Sequence, residues 1–167
     1  NNYQVIVVAD DGNGGADTQA MTVTVNADAT APAAPSVDLL ASSDTGASDA
    51  DDITSDTTPT IRVTLDQSGA AATIAVAGDV VRLFEGASQV GSATLAAGDI
   101  SNGFVDITSN ALSANNLSFT ATLTDISNNL SNPSAALAVT LDAVLPGVAI
   151  TSSVTANIIN ATVYPVA

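Results

Sequence analysis

Apolar and polar residues alternate with a period of two along much of the chain, and this pattern constrains the fold more than any other feature. From Leu117 to Thr124, apolar residues alternate with serine and threonine, and a similar alternation runs from Ile61 to Leu65. A strand that buries one face has this period, whereas an amphipathic helix repeats every 3.6 residues. No segment carries a convincing helical stripe. Because turns rich in glycine, asparagine, aspartate and serine separate the alternating segments, the sequence predicts a β-sandwich or a β-barrel.

The composition allows a folded core. Hydrophobic residues make up 46% of the 167 residues, mostly as alanine and valine, and the mean hydropathy is +0.36. Small and β-branched side chains suit many short strands better than a helical bundle. No apolar run reaches the roughly 18 residues of a membrane-spanning helix, so we expect no membrane insertion. The sequence starts with Asn-Asn-Tyr and no signal-peptide pattern, and we expect it to belong to a longer chain.

The charge is strongly one-sided. Seventeen acidic residues face only two basic ones, Arg62 and Arg82, and the chain has no histidine and no cysteine. This balance argues against a nucleic-acid partner and against binding to anionic lipid. Disulfides, thiolate zinc sites and Cys or His nucleophiles are impossible, and a serine nucleophile has neither a histidine nor a lysine as its base. We therefore expect no enzymatic activity and no small-molecule substrate.

Part of the sequence pattern occurs twice, with an offset of 114 residues. Asp11 and Asp28 are 17 positions apart, as are Asp125 and Asp142, and a proline follows four residues after the second aspartate of each pair. Each copy has a strand, an Asp-rich turn, a second strand, an aspartate, a short linker and a proline. The repeat indicates the end of a β-domain that is present twice.

The repeat predicts one complete domain between two partial ones. Residues 1–28 are predicted to be the last strands of an upstream β-sandwich repeat, 29–34 a linker, 35–142 a complete repeat, and 143–167 a linker with the first strands of a downstream repeat. The predicted strands of the complete repeat are at about 36–41, 59–66, 79–85, 88–94, 103–109, 117–124 and 135–141. Two strands alone are not stable, so the partial ends must pair with the rest of a longer chain, with a neighbouring molecule or with each other.

Four stretches of the chain, in this order and spacing, resemble the repeats of a known family. They are APAAPSVDLLASSDTGASDADDIT (31–54), AGDVVRLFEGASQVGSATL (77–95), LSFTATLTDISNNLS (117–131) and VTLDAVLP (139–146). They are similar to the tandem bacterial immunoglobulin-like repeats of large calcium-dependent surface adhesins of the type I-secreted (RTX) kind. Asn128 stands where these repeats have glycine, the linker departs from Asp-Thr-Thr-Ala-Pro, and the family tryptophan is absent.

The resemblance implies a fold, a role and a cofactor. The fold would be all-β, with seven-stranded immunoglobulin-like sandwiches in tandem and partial neighbouring β-domains at both ends. The role would be that of a stiff extender that holds a distal adhesive domain away from the bacterial cell, at an extracellular location on the cell surface. Calcium would bind at the junctions between repeats, and the partners would be adjacent repeats of the same polypeptide or neighbouring copies.

Strand parity, independently of the family, places acidic residues at both ends of a seven-stranded sandwich. The first loop, residues 42–58, lies at the downstream end, where the chain leaves the sandwich at Asp142. The sixth loop, residues 125–134, lies at the upstream end and faces the linker that contains Asp28. Both ends therefore bring carboxylates towards a linker.

The crowding of these carboxylates predicts a bound cation. Two carboxylates about 4 Å apart repel each other by on the order of 4 kcal/mol at an effective dielectric constant near 20. Calcium accepts six to eight oxygen ligands in flexible geometry, whereas magnesium demands a tighter octahedron and zinc favours nitrogen or sulfur. The predicted calcium ligands are Asp28, Asp44, Asp49, Asp51, Asp52, Asp125 and Asp142, with Asp10, Asp11 and Asn128 as further candidates.

These residues also have a simpler interpretation. Acidic loops are often solvated surface, and an aspartate after a strand is a common turn residue. Asp10 and Asp11 lie in DDGNGGAD, which fits a D-x-N-x-G calcium loop and fits a hairpin turn equally well. The isolated acidic residues Asp38, Asp79, Asp99 and Asp106 are expected to lie on the surface.

Three functions follow from these observations. The first is a structural extender of a calcium-dependent adhesin. The alternative is a subunit or stretch of an extracellular filament or matrix, assembled by β-strand exchange between incomplete domains. A carbohydrate- or ice-binding module is a third, but the aromatic residues and the flat threonine array that such modules use are missing.

Overall fold

The computed structural model describes residues 2–24, 28–71 and 73–144 of the chain. These residues form ten strands and one short helix. The elements are β1 (Asn2–Asp10), β2 (Ala16–Thr24), β3 (Ser36–Leu39), β4 (Ile53–Thr54), β5 (Thr60–Thr64), β6 (Val80–Glu85), β7 (Ser88–Thr94), α1 (Ala97–Asn102), β8 (Phe104–Thr108), β9 (Asn116–Thr124) and β10 (Leu137–Leu141). The predicted first strands of a downstream repeat lie outside the described residues.

The first two strands form an antiparallel hairpin. Tyr3 lies opposite Val23, and Val5 lies opposite Met21. The turn between the strands contains Gly12 and Gly14 at positive φ, a conformation that glycine adopts without steric cost. Every residue of both strands is exposed.

Residues 28–144 fold into two sheets around a common core. One sheet has five strands in the order β4-β10-β9-β6-β7, and the other has three in the order β3-β5-β8. Neighbouring strands are antiparallel except for β4 and β10, which are parallel. The inward-facing residues of both sheets form one apolar cluster, in which Phe119, Ile61 and Leu83 are among the largest fully buried side chains. The predicted all-β sandwich is confirmed.

The structure contains two elements that the alternation did not predict. The strand β4 has two residues, too few to show a period. The helix α1 has six residues and buries none of them, so it carries no apolar stripe. It is held instead by the Asp99 carboxylate, which accepts a hydrogen bond from the Ala96 N–H, and by Gly103, whose positive φ ends it. Among the described residues, no helix is long and apolar enough to cross a membrane.

Truncation of the central aromatic residue tests this core. Phe119→Ala is expected to lower the free energy of unfolding by about 3–5 kcal/mol, because it removes a fully buried ring and leaves a cavity. The measurement is urea denaturation of the full chain. Val144→Ala is the control, since Val144 is 79% exposed and its loss should change the free energy by less than about 0.5 kcal/mol. A cost below about 1 kcal/mol for Phe119→Ala would contradict the assigned core.

Candidate functional site

The loop from residue 42 to residue 58, at the downstream end, is shaped by its own carboxylates. Asp51 Oδ2 accepts hydrogen bonds from the backbone N–H groups of Ala47 and Ser48, both at 3.1 Å. Asp51 Oδ1 accepts a third, from the Ile53 N–H at 3.3 Å. Asp49 is exposed. The side chain of Asp51 thus folds the acidic segment back on itself just before β4 begins.

Asp44 lies under this loop and has one unsatisfied oxygen. It is 8% exposed, and its Oδ2 accepts a hydrogen bond from the Asp52 N–H at 3.1 Å. Its Oδ1 is buried and has no hydrogen-bond partner among the described residues. A buried carboxylate oxygen without a donor or a cation is unfavourable. Asp44 Oδ1 is therefore an atom to which a cation could bind.

Four carboxylates influence one another around Asp52. The pKa of Asp52 is raised above its ordinary value of 3.8, first by burial and then by the negative charges of Asp38, Asp44 and Asp51. The φ of Asp52 is +55°, a left-handed conformation that aspartate and asparagine tolerate better than most residues. The raised pKa shows that the negative charge of Asp52 is unfavourable where the fold holds it.

Arg62 forms its hydrogen bonds with a carboxylate outside this group. It lies opposite Asp38 in the register of β3 and β5, but its Nε and Nη2 both donate to the carboxylate of Asp106 at 2.8 Å. Its guanidinium also lies over the ring of Phe104, 3.7 Å from the ring centre. The side chain is thus committed to the outer face of the three-stranded sheet.

The residue at which the chain leaves the sandwich lies beside the same loop. The parallel pairing of β4 with β10 brings them together: the Thr140 N–H donates to the Asp52 carbonyl, and the Asp142 N–H donates to the Thr54 carbonyl, both at 2.8 Å. The backbone of Asp142 is therefore fixed against the acidic loop, as strand parity predicted.

At the upstream end, Asp125 organises the loop between β9 and β10. Its Oδ1 accepts hydrogen bonds from the N–H groups of Ser127 and Asn129, and its Oδ2 accepts one from Asn129 Nδ2, all at 2.8 Å. Loss of hydration acts to raise the pKa of Asp125, but the hydrogen bonds from Asn129 and Ser127 outweigh it and hold the pKa below its ordinary value. Asn128 has a φ of +70°, which accounts for glycine at this position in the repeats that the chain resembles.

The same loop contacts the upstream linker. Asn129 Nδ2 also donates to the backbone carbonyl of Asp28 at 3.3 Å. A surface cavity of about 220 Å³ lies between them, and its lining includes Asp28, Asp125 and a third carboxylate, Asp79.

Asp79 is the residue that the sequence interpretation misplaced. It was expected on the surface, yet it is 1% exposed. Its Oδ2 accepts a hydrogen bond from the Val76 N–H at 2.9 Å, and its buried Oδ1 has no partner in the described part of the chain. The missed signal is parity, because Asp79 continues the inward-facing set of Val81 and Leu83.

The acidic residues of the hairpin have the hydrogen bonds of a turn. Asp10 Oδ1 accepts from the Gly12 N–H at 2.8 Å, and Asp11 Oδ1 accepts from the N–H groups of Asn13 and Gly15 at 2.9 Å. The hydrogen bonds from Asn13 and Gly15 hold the pKa of Asp11 below its ordinary value. This geometry favours the turn interpretation for both residues.

The structure brings the candidate ligands together in small groups. Within residues 2–24, 28–71 and 73–144, no three acidic side chains have the mutual spacing of a metal site. Calcium nevertheless also binds backbone carbonyls, amide oxygens and water, so two carboxylates can suffice as its charged ligands. The oxygen donors fit calcium, and so do the two carboxylate oxygens, on Asp44 and Asp79, that are buried without a partner among the described residues.

The charge crowding around Asp52 predicts an unusual pH dependence. In the presence of a chelator, Asp52→Asn is expected to raise the free energy of unfolding at pH 7, because asparagine keeps the left-handed conformation and removes one of four like charges. The native pKa of Asp52 lies above 3.8, so protonation stabilises the wild type. The advantage of the variant should therefore shrink as the pH falls through the native pKa and vanish below about 3.8.

Asp66→Asn serves as the control in urea denaturation at pH 7 to 3. Hydrogen bonds from the hydroxyl and the N–H of Ser68 lower the pKa of Asp66, so its ionised form stabilises the fold above 3.8 and that stability is lost as the pH falls. Asp66→Asn should therefore lower the free energy of unfolding at pH 7, and this loss should shrink as the pH falls. An Asp52→Asn variant that is less stable than the wild type at pH 7 would contradict the account.

Comparison with known proteins agrees with the architecture. A model of the bacterial Ig-like domain family matches residues 30–143, which include both sheets and both acidic ends. A search of curated proteins finds no match to the chain. Bacterial Ig-like domains commonly occur in extracellular or surface proteins, and such sandwiches are typically non-catalytic. The chain belongs to the bacterial Ig-like domain family.

Proposed function

We propose that this chain is a structural extender segment of a bacterial cell-surface adhesin, and that calcium at the junctions between repeats makes the segment rigid. The observation that carries the proposal is the placement of carboxylates at both ends of the sandwich, each group beside a linker. At the downstream end, Asp44 has a buried oxygen without a partner among the described residues, and the Asp142 N–H donates to the carbonyl of Thr54 in the same loop. At the upstream end, the loop of Asp125 contacts the backbone of Asp28.

A cation at either end would join a carboxylate of the sandwich to a carboxylate beside a linker. Asp125 belongs to the sandwich, whereas Asp28 belongs to the linker that precedes it. An ion that binds oxygens from both would replace a repulsion by two attractions and would remove the freedom of the linker. The same logic holds for Asp44 and Asp142 at the other end. The core cluster that the structure describes consists of apolar residues, so the ends are where a rod of such domains would be made stiff.

The protein has little positive charge with which to neutralise these groups. Its basic residues are two arginines. Arg62 is bound to Asp106, and Arg82 Nη1 donates to the hydroxyl of Thr124 at 2.8 Å. The compensating charge must therefore come from solution. The oxygen donors favour calcium, with a dissociation constant of roughly 10⁻⁴–10⁻³ M, the range of extracellular modules.

The exposed hairpin supports the presence of further strands. One of its faces carries the apolar residues Tyr3, Val5, Val7, Met21 and Val23. At the offset of the repeat, Val5 and Val7 correspond to Phe119 and Ala121, which are fully buried in the complete sandwich. In the extender, this face is covered by strands of the same polypeptide. In the alternative, an extracellular filament or matrix, it is covered by strands of a neighbouring molecule.

Spin labels can test the proposal, since the chain has no native cysteine. Cysteines at two exposed positions, Gln19→Cys on the hairpin and Gln89→Cys on the sandwich, give one distance across the upstream junction. Double electron–electron resonance on the full chain should show a broad distance distribution with a chelator and a narrow one with millimolar calcium. An unchanged distribution would contradict the calcium-stiffened extender.

Two controls make the experiment specific. Asp125→Asn should abolish most of the narrowing, because it removes a charged ligand at this junction, whereas Glu85→Gln, on the opposite end of β6, should leave it intact. Chains labelled only at Gln19→Cys distinguish the two functions. The extender predicts no coupling between molecules, and strand exchange predicts a defined intermolecular distance.

A further inference from the structure

A second buried carboxylate lies beside Asp125. The last pair between β6 and β9 is Val80 with Thr124; Asp79 precedes the first of these residues, Asp125 follows the second, and both line the same cavity. Asp79 continues the inward-facing set of Val81 and Leu83, and it is 1% exposed. A buried carboxylate that no cation compensates is unfavourable.

Only one of the two carboxylate oxygens of Asp79 accepts a hydrogen bond among the described residues. Its Oδ2 accepts from the Val76 N–H, its backbone N–H donates to the Val76 carbonyl at 3.2 Å, and its carbonyl accepts from the Leu95 N–H at 2.8 Å. These contacts are those of a tight turn, for which an uncharged asparagine would serve. They leave the negative charge and the buried Oδ1 unexplained.

We propose that Asp79 is a ligand of a divalent cation in the cavity that it lines together with Asp125 and Asp28. The ion is calcium, because the polar side chains that line the cavity, three aspartates and Ser127, offer oxygen atoms, and Asp79 Oδ1 lacks a hydrogen-bond partner among the described residues. This inference rests on the proposed function and deepens it. Asp79 precedes a central strand of the five-stranded sheet, so an ion bound to it ties the linker to the rigid core and not only to a loop.

The test compares the full-length wild type with Asp79→Asn and Glu85→Gln in thermal melting, first with a chelator and then across a calcium titration. Asparagine can still accept the hydrogen bond from Val76 but carries no charge. With chelator, Asp79→Asn is expected to melt at a higher temperature than the wild type, because the substitution removes the negative charge of a buried carboxylate. Calcium should raise the melting temperature of Asp79→Asn by less than that of the wild type. The calcium concentration that gives half of this rise should be at least tenfold higher for the variant. Glu85→Gln should follow the wild type.

Each other outcome has a distinct meaning. If the wild type responds to calcium and Asp79→Asn responds equally, the role of Asp79 is refuted and the proposed function stands. If Asp79→Asn loses the same stability with and without calcium, Asp79 is a turn residue only, and the inference fails. If the wild type does not respond, the calcium junctions themselves are refuted. If the variant does not fold, NMR of the wild type tests the proposal instead. Calcium must then shift the amide resonances of Asp79 and Asp125 and leave that of Glu85 in place. The absence of such shifts overturns the proposal.

Discussion

Repulsion between carboxylates at the two ends of a small apolar sandwich is the constraint on which the rest of this structure depends. Folded domains are stable by only about 5–15 kcal/mol, and each buried polar atom without a partner costs about 1–3 kcal/mol. Two such atoms are carboxylate oxygens, on Asp44 and Asp79, and each lies near other acidic groups. In the described part of the chain, neither arginine forms an ion pair with Asp44 or Asp79, since Arg62 binds Asp106 and Arg82 donates to the hydroxyl of Thr124. The fold therefore carries, at its ends, charges that it does not neutralise by itself.

In the middle of the sandwich, by contrast, a basic side chain compensates the charge of a carboxylate. Asp106 makes two hydrogen bonds with Arg62, which also covers the ring of Phe104, and this group lies on the outer face of the three-stranded sheet. An exposed ion pair of this kind contributes little to stability. The contrast is informative, because Arg62 forms its hydrogen bonds with Asp106 and not with Asp38, which lies opposite it and belongs to the group around Asp52. Under the proposed function, calcium would supply the positive charge at those places.

Alternation in the sequence predicted the strands and the faces of the sandwich because burial of one face leaves a direct mark on the residue pattern. It also predicted that Asp142 lies beside the first loop and that the sixth loop faces Asp28, since both follow from counting strands. The short strand β4 and the helix α1 escaped detection because neither is long enough to show a period. The left-handed conformations of Asp52 and Asn128, and the oxygens without partners, depend on three-dimensional packing that no local pattern records. The burial of Asp79 could have been predicted, because it lies two residues before the inward-facing Val81. It was missed because an isolated aspartate was expected to lie on the surface.

The division of the chain into a complete repeat and two partial ones remains a prediction, and the calcium junctions remain a proposal. The proposal requires that a specifically bound cation, and not general screening by salt, reduces the repulsion between the carboxylates at the ends of the sandwich. The most direct measurement is the melting temperature of the full chain as calcium replaces sodium at constant ionic strength. Binding predicts a rise with the logarithm of calcium concentration, corresponding to about 2.7 kcal/mol per site at a hundredfold excess over the dissociation constant. A melting temperature that depends on ionic strength alone, and is the same in sodium as in calcium, would contradict it.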